Sequence, residues 1–302
     1  MRNRLPAALS GWFAGRNWAP HPHQLEMLDA AAAGRSALLI APTGGGKTLA
    51  GFLPSLVELT KTDAPPEGLH TLYISPLKAL AVDIHRNLEI PIAEMGLPIR
   101  AETRTGDTPQ SKRQRQRRSP PQMLMTTPES LALLLSYEDA PAIFGRLRCV
   151  IVDELHALED NKRGDLLSLG LSRLTALAPS ARRVGLSATV AEPDRLRRWL
   201  SPTRDANDVS LVLGESGAEP RIDVLETAVE MPWSGHMGTH AIPEIYDQLR
   251  DAGTTIVFVN TRAQAEIIFQ ELWRMNEDDL RIALHHGSLA PEQRRKVEAA
   301  MA

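Results

Sequence analysis

The sequence predicts an α/β fold with a mainly parallel sheet, followed by a second and smaller domain. Three observations support that expectation. Short apolar runs recur at 37–40, 71–74, 123–126, 150–152 and 183–186, each followed by polar or small residues and then by a helix-like segment. Buried runs alternating with helices are the pattern of a parallel sheet covered on both faces. The first run leads into a glycine-rich turn, Ala41-Pro-Thr-Gly-Gly-Gly-Lys-Thr48, and the fourth into an acidic pair, Asp153-Glu154. Ligands of such sheets bind at the carboxyl ends of the strands, so the residues just after each run are where function is expected.

Composition sets the frame. The chain has 302 residues, 43% hydrophobic and 24% charged, which is ordinary for a globular protein of two domains. A net charge of -3 points to neither a nucleic-acid nor a membrane-surface protein, although a cleft can be basic while the whole molecule is not. The one cysteine, Cys149, lies in an apolar run and reads as a small buried hydrophobe; it permits neither an internal disulfide nor a cysteine zinc site. The nine histidines lack metal-ligand spacing. The first residues make a poor signal peptide, and no run of about 18 apolar residues suggests a membrane span. A cytoplasmic location is the default expectation.

Taken in order, Trp12, Phe13 and Trp18 read as core packing. Residues 22–33 form an amphipathic helix with Leu25, Leu28 and Ala32 on one face and Gly34 as its stop. The strand at 36–40, the glycine turn and a helix over 49–56 make a phosphate cradle. Thr43, Gly44, Gly45 and Gly46 would let backbone N–H groups approach a phosphate, and the helix N-terminus adds partial positive charge. Lys47 would reach the β- and γ-phosphates of a nucleotide, and the Thr48 hydroxyl would ligate Mg²⁺. Ala41 stands where the first glycine of the strict pattern usually is, and the bland alternative is a glycine turn with an adjacent lysine.

Residues 100–118 are the most basic stretch, with seven Lys/Arg against two acids; a solvated helix or loop competes with direct contact to a nucleic-acid strand. Thr127-Pro128-Glu129 is a helix start, with a cap, a first-position proline and a first-turn acid. Asp153-Glu-Leu-His156 follows the fourth run: Asp153 can hold Mg²⁺ through water and Glu154 can orient the attacking water, the alternative being a helix-capping acidic pair. Composition shifts near Leu213. Residues 214–238 read as a connection with one strand-like part at 222–229, and the pattern then restarts with a helix at 242–251, a strand at 255–259, a helix at 263–275, a strand at 281–284 and a last helix from Pro291. Two β/α units make a small core, so the chain is expected to stop within this domain.

These blocks together resemble the superfamily 2 helicases of the DExH type. Gln24, in Pro22-His-Gln-Leu25, is similar to the adenine-reading glutamine of that family. Ser75-Pro-Leu-Lys-Ala-Leu80, Thr105-Gly-Asp-Thr108 and Thr126-Thr-Pro-Glu129 resemble its strand-binding motifs, implying nucleic-acid contacts at Pro76, Lys78, Thr105, Gly106, Thr127 and Glu129. Ser187-Ala188-Thr189 resembles the motif that couples hydrolysis to movement, and His156 would share in that coupling. Val257-Phe-Val-Asn-Thr-Arg262 and His285-His-Gly-Ser-Leu289 resemble the opening motifs of a second RecA-like domain and imply strand contacts at Asn260, Arg262, His286 and Gly287. The wording of the blocks is most similar to the Lhr branch, in particular the bacterial ligase-associated type.

The resemblance implies a RecA-like ATP-binding domain over 1–213, a linker over 214–238 and an incomplete second RecA-like domain over 239–302. It implies ATP and Mg²⁺ as cofactors, single-stranded or tailed DNA or an RNA–DNA hybrid as partner, no membrane, DNA-repair proteins such as a ligase, and a monomer. The family closes its ATP site with arginines of a Gln-x-x-Gly-Arg-x-x-Arg motif. That pattern is absent from these residues, so the chain alone is expected to bind ATP and hydrolyse it poorly. The alternative from another class is a fragment acting only as an ATP- and strand-binding module. A kinase or GTPase fits poorly, since no Asn-Lys-x-Asp motif is present.

Overall fold

A computed structural model describes residues 5–61, 66–188, 190–215, 221–229, 233 and 237–301. The chain divides into two compact units, Met1–Glu219 and Pro220–Ala302. The first unit runs α1 (Ala7–Gly15), α2 (Pro22–Ala32), β1 (Ser36–Ile40), α3 (Lys47–Leu59), β2 (Thr71–Ile74), α4 (Lys78–Glu94), β3 (Ala101–Arg104), α5 (Gln110–Arg118), β4 (Met123–Thr126), α6 (Pro128–Leu135), α7 (Ala140–Phe144), β5 (Cys149–Val152), α8 (Lys162–Leu177), β6 (Arg182–Ser187), α9 (Pro193–Leu200) and β7 (Val209–Leu213). The strands form one seven-stranded sheet in the order β3-β4-β2-β5-β6-β1-β7, with every pairing parallel.

Alternation along the strands explains why both faces are covered. Leu39, Tyr73, Met125, Ile151 and Leu186 face a core shared with α1–α4. Leu38, Ile74, Leu124, Val150 and Val152 face a second core shared with α6–α9. A strand apolar on both faces needs helices on both, which is the doubly covered α/β arrangement. Cys149, at the start of β5, is fully buried. The five expected strands are present, and β3 and β7 are added at the two sheet edges. β3, Ala-Glu-Thr-Arg, has no apolar run, and in β7, Val-Ser-Leu-Val-Leu, Ser210 interrupts the apolar residues, with Val209 and Val212 buried and Leu211 and Leu213 exposed.

The second unit holds α10 (Ile242–Asp251), α11 (Arg262–Arg274) and α12 (Pro291–Met301). Ile242, Tyr246, Ile268 and Leu272 make its small core. Three strand expectations fail here: among the described residues, 222–229, 255–259 and 281–284 pair in no ladder. Their apolar residues divide instead. Val259 and Ile282 pack on the helical core, whereas Ile222, Val224, Ile256 and Phe258 are exposed. Apolar content makes a segment eligible for a sheet, but a strand exists only when its backbone groups find a partner. Much of the expected linker, at 216–220, 230–232 and 234–236, lies outside the described residues. No helix among them is long and apolar enough to cross a membrane.

Candidate functional site

The ladders continue past the strand ends and fix where each loop begins. Ala41 N–H donates to the Ser187 carbonyl at 3.2 Å, Asp153 N–H to Ile74 at 2.9 Å and Ser75 N–H to Thr126 at 3.0 Å. The sheet order then sorts the loops. The ends of β5, β6 and β1 present Asp153–His156, Ser187 and the loop 41–48; the ends of β3, β4 and β2 present Thr105–Gly106, Thr127–Glu129 and Pro76–Lys78.

In the first group, Gly44 and Gly46 hold φ of +82° and +72°. These are left-handed values at which a side chain is strained. A Cβ on Gly46 would also lie 2.9 Å from Gln24 Nε2. Gln24 is buried: its Oε1 accepts the His21 N–H at 3.0 Å and its Nε2 donates to the Gly46 carbonyl at 3.4 Å, so the start of α2 is tied to the loop. Lys47 and Thr48 are the first two residues of α3, and Lys47 Nζ donates to the Ala41 carbonyl at 2.8 Å. Thr43 and Gly44 are exposed at the loop crest, beside the partly buried Gly45.

Asp153 is buried; its Oδ1 accepts the Glu154 N–H at 2.8 Å and its Oδ2 the Tyr73 hydroxyl. Burial raises its carboxyl above the ordinary range, against the Tyr73 and Glu154 hydrogen bonds and a smaller pull from Lys47. A buried carboxylate with so little compensation fits a divalent cation, and Mg²⁺ commonly takes one or two carboxylates plus phosphate oxygens and water. Burial first, and then the adjacent Asp153 charge, push the Tyr73 hydroxyl upward. Glu154 has φ +48°, rare for a residue with a side chain. His156 bridges to both neighbours: Nδ1 lies 3.1 Å from Ser187 Oγ and Nε2 3.5 Å from Glu154 Oε2. Ala188 follows at the end of β6, and Thr189 lies outside the described residues.

In the second group, side chains brace the loops. Thr105 N–H donates to Thr108 Oγ1 at 2.9 Å, and Arg113 of α5 donates to the Thr105 and Gly106 carbonyls at 3.1 and 2.5 Å. Arg104 donates to the Arg113 carbonyl at 2.9 Å. Arg115 pairs with Glu102, and Arg117 pairs with Asp139 while lying 4.0 Å from the Tyr137 ring centre. Much of the basic stretch is thus turned onto its own unit, leaving Lys112 and Arg118 without a partner among the described residues. Thr127 caps α6 by accepting the Ser130 N–H. Lys78 pairs at 3.1 Å with the exposed Asp107; a pair this wet contributes little and leaves the ammonium available. Arg163 takes the Glu129 carboxylate through two nitrogens and donates to the Pro76 carbonyl at 2.6 Å. That ion pair holds the Glu129 carboxyl down at about 2.

Trp12 packs edge-on against Phe13 and Trp18, at 5.2 and 5.8 Å, and donates to Glu94 of α4 at 2.8 Å, so these rings close the α1–α4 side. In the second unit, Arg262 donates to Ser288 Oγ at 2.5 Å, and His286 Nε2 lies 3.2 Å from Glu266. A Cβ on Gly287 would sit 3.7 Å from Arg262 Nη2, and Asn260 N–H donates to Gln264 Oε1 at 3.2 Å. Sequence reasoning passed over Tyr73, Arg163 and Gly164, and it read Arg113 only as one charge of the basic stretch, not as a brace of the Thr105–Gly106 turn. The readable signal for Arg163 and Gly164 was the helix start at Asn161, whose side chain accepts the N–H groups of both.

A sequence model of the DEAD/DEAH box helicase family matches residues 21–196. The chain is 35% identical over 344 residues to a Mycolicibacterium smegmatis Lhr helicase/probable uracil glycosylase, covering 98% of this chain and 22% of that protein. It is 37% identical over 284 residues to the ATP-dependent helicase Lhr-Core of Methanothermobacter thermautotrophicus, covering 88% and 33% respectively. The chain therefore spans a third or less of either relative. Among solved structures, Mycobacterium smegmatis helicase Lhr bound to ssDNA and AMP-PNP superposes with TM-score 0.79 at 37% identity, over 98% of this chain and 40% of that one. The DEAD-box protein Mss116p superposes at 0.76 with 17% identity, a likeness of fold alone, over 98% of this chain and 61% of that one. The seven-stranded parallel sheet is thus a RecA-like helicase core.

Proposed function

The chain belongs to the DEAD/DEAH box helicase family, and on that premise we propose that it is the nucleotide-binding core of an ATP-dependent helicase or translocase acting on DNA. The observation behind this reading is the sorting of one sheet edge, with phosphate-loop, acidic and Ser187 segments on β1, β5 and β6, and three basic or capped loops on β2, β3 and β4. The loop 43–46 and the start of α3 cradle the phosphates of ATP, Lys47 neutralises the β- and γ-phosphates, and Gln24 reads adenine. Thr48 and Asp153 hold Mg²⁺, which when bound screens phosphate charge. Glu154, aimed by its left-handed backbone, orients the attacking water. His156 carries that event to Ser187 through their hydrogen bond. In the first unit the strand passes over Pro76, Lys78, Thr105–Gly106 and Thr127–Glu129; in the second unit, taken by itself, Asn260, Arg262, His286 and Gly287 are the proposed nucleic-acid contacts.

DNA is preferred to an RNA–DNA hybrid because the 37%-identical Mycobacterium smegmatis structure holds ssDNA. A DNA-repair setting beside a ligase is proposed on the sequence resemblance alone. The test is direct binding. A fluorescent ATP analogue binds the wild-type chain with Mg²⁺, and Lys47→Ala weakens that binding at least about tenfold, as expected for losing a charge-assisted phosphate contact. A labelled oligothymidylate binds with an affinity that falls as salt rises. Equal analogue affinity in the two proteins, or no oligonucleotide binding at low salt, would sink the reading.

A further inference from the structure

Arg163 belongs to none of the motifs assigned above, yet it joins three segments distant in sequence. It is the second residue of α8, and its base is fixed. Asn161 Oδ1 accepts the N–H groups of Arg163 and Gly164 at 3.0 and 3.1 Å, and Asn161 Nδ2 donates to the Ala157 carbonyl at 2.6 Å. Ala157 closes the short 3₁₀ turn, Leu155–Ala157, that carries His156. From there the guanidinium reaches the Pro76 carbonyl at 2.6 Å and both Glu129 oxygens, at 2.5 and 3.1 Å. Gly164 makes the close approach possible, because a Cβ there would lie 1.7 Å from the Leu158 carbonyl oxygen. The contacts cross the boundary between the two sheet halves, from the segment after β5 to those after β2 and β4.

A half-exposed ion pair alone would contribute little. This one is bidentate, and a third hydrogen bond goes to a backbone carbonyl, a geometry only the arginine fork supplies. Glu129 also stands where the proposed strand passes, and a bare carboxylate there would repel phosphate.

We propose that Arg163 is a positioning residue for the strand: it sets Pro76 and Glu129 relative to the acidic loop, and it cancels the Glu129 charge beneath the sugar–phosphate backbone. The inference rests on the strand-binding reading above. On the full chain, Arg163→Ala weakens oligothymidylate affinity by about tenfold, the loss of one charge-assisted bidentate contact. Affinity for the ATP analogue stays at the wild-type value, and the melting temperature falls only slightly, because the pair is half-exposed. Arg163→Lys is intermediate, since it keeps the charge and loses the fork. Arg163→Ala with Glu129→Gln binds better than Arg163→Ala alone, because no uncompensated carboxylate remains. Wild-type oligonucleotide affinity in Arg163→Ala, or a double variant no better than the single one, overturns the proposal. If the wild-type chain binds no oligonucleotide, the strand reading fails instead, and hydrogen exchange over 75–78 and 127–130 decides Arg163's positioning role. Faster exchange in Arg163→Ala supports that role, and unchanged exchange overturns it.

Discussion

The two halves of the carboxyl edge of the sheet are built by different means. Along β5, β6 and β1 the backbone sets the geometry: left-handed Gly44, Gly46 and Glu154, and a carboxylate fixed by the N–H of its own neighbour. Along β3, β4 and β2 long arginines set it, with Arg113 holding the Thr105–Gly106 turn and Arg163 holding Pro76 and Glu129. A site made of backbone is lost when a Cβ intrudes or a reacting group is removed. A site made of side-chain braces weakens by degrees, one hydrogen bond at a time.

Substitutions can break that contrast or sharpen it. The largest effect is expected on the backbone half: Glu154→Gln lowers ATP turnover of the intact protein by about 10²–10⁴, the usual size for a positioned acid–base group, while the ATP analogue still binds. Unchanged steady-state turnover removes Glu154 from the water-orienting role. Next comes the boundary between the halves. Gly164→Ala places a methyl 1.7 Å from the Leu158 carbonyl, and the overpacking costs about 3 kcal/mol, read from urea melts. On the braced half, Arg113→Ala weakens oligonucleotide binding by about threefold to tenfold through the loss of hydrogen bonds to two carbonyls, with analogue affinity unchanged. A larger loss of ATP affinity than of strand affinity would erase the distinction between the halves.

The smallest effect is a pH dependence. The folded carboxyl of Glu129 sits at about 2, below its unfolded value of about 4.3. Its contribution is therefore present above the unfolded value and is lost as pH falls from about 4 toward about 2. Melting temperatures of wild type and Glu129→Gln are expected to converge over that window, by a small amount because the pair is half-exposed.

The same contrast explains what could be read from the chain. Gly44–Thr48 and Asp153–Glu154 are local patterns in which spacing dictates the backbone, so the course of these two loops was legible in the sequence. The braces join residues 34 and 87 positions apart, and nothing in the neighbourhood of Arg163 says what it will reach. Tyr73 was hidden differently, as an apolar strand residue whose hydroxyl meets Asp153 only once β2 lies beside β5. The edge strand β3 escaped because Ala-Glu-Thr-Arg has no apolar run, and β7 because Ser210 breaks its apolar residues. The runs at 255–259 and 281–284 failed in the opposite sense: their composition suits a strand, but pairing depends on a neighbour that composition does not report.

The burial of Cys149 has a practical consequence. It is the chain's one thiol, it sits fully buried in the central strand β5, and burial raises its pKa, so a thiol reagent meets it only when the sheet opens. Its labelling rate therefore reports the opening free energy of the first unit directly. No engineered probe is required, and nucleotide or oligonucleotide added to the same reaction would register as slower modification in proportion to how tightly each holds the closed form.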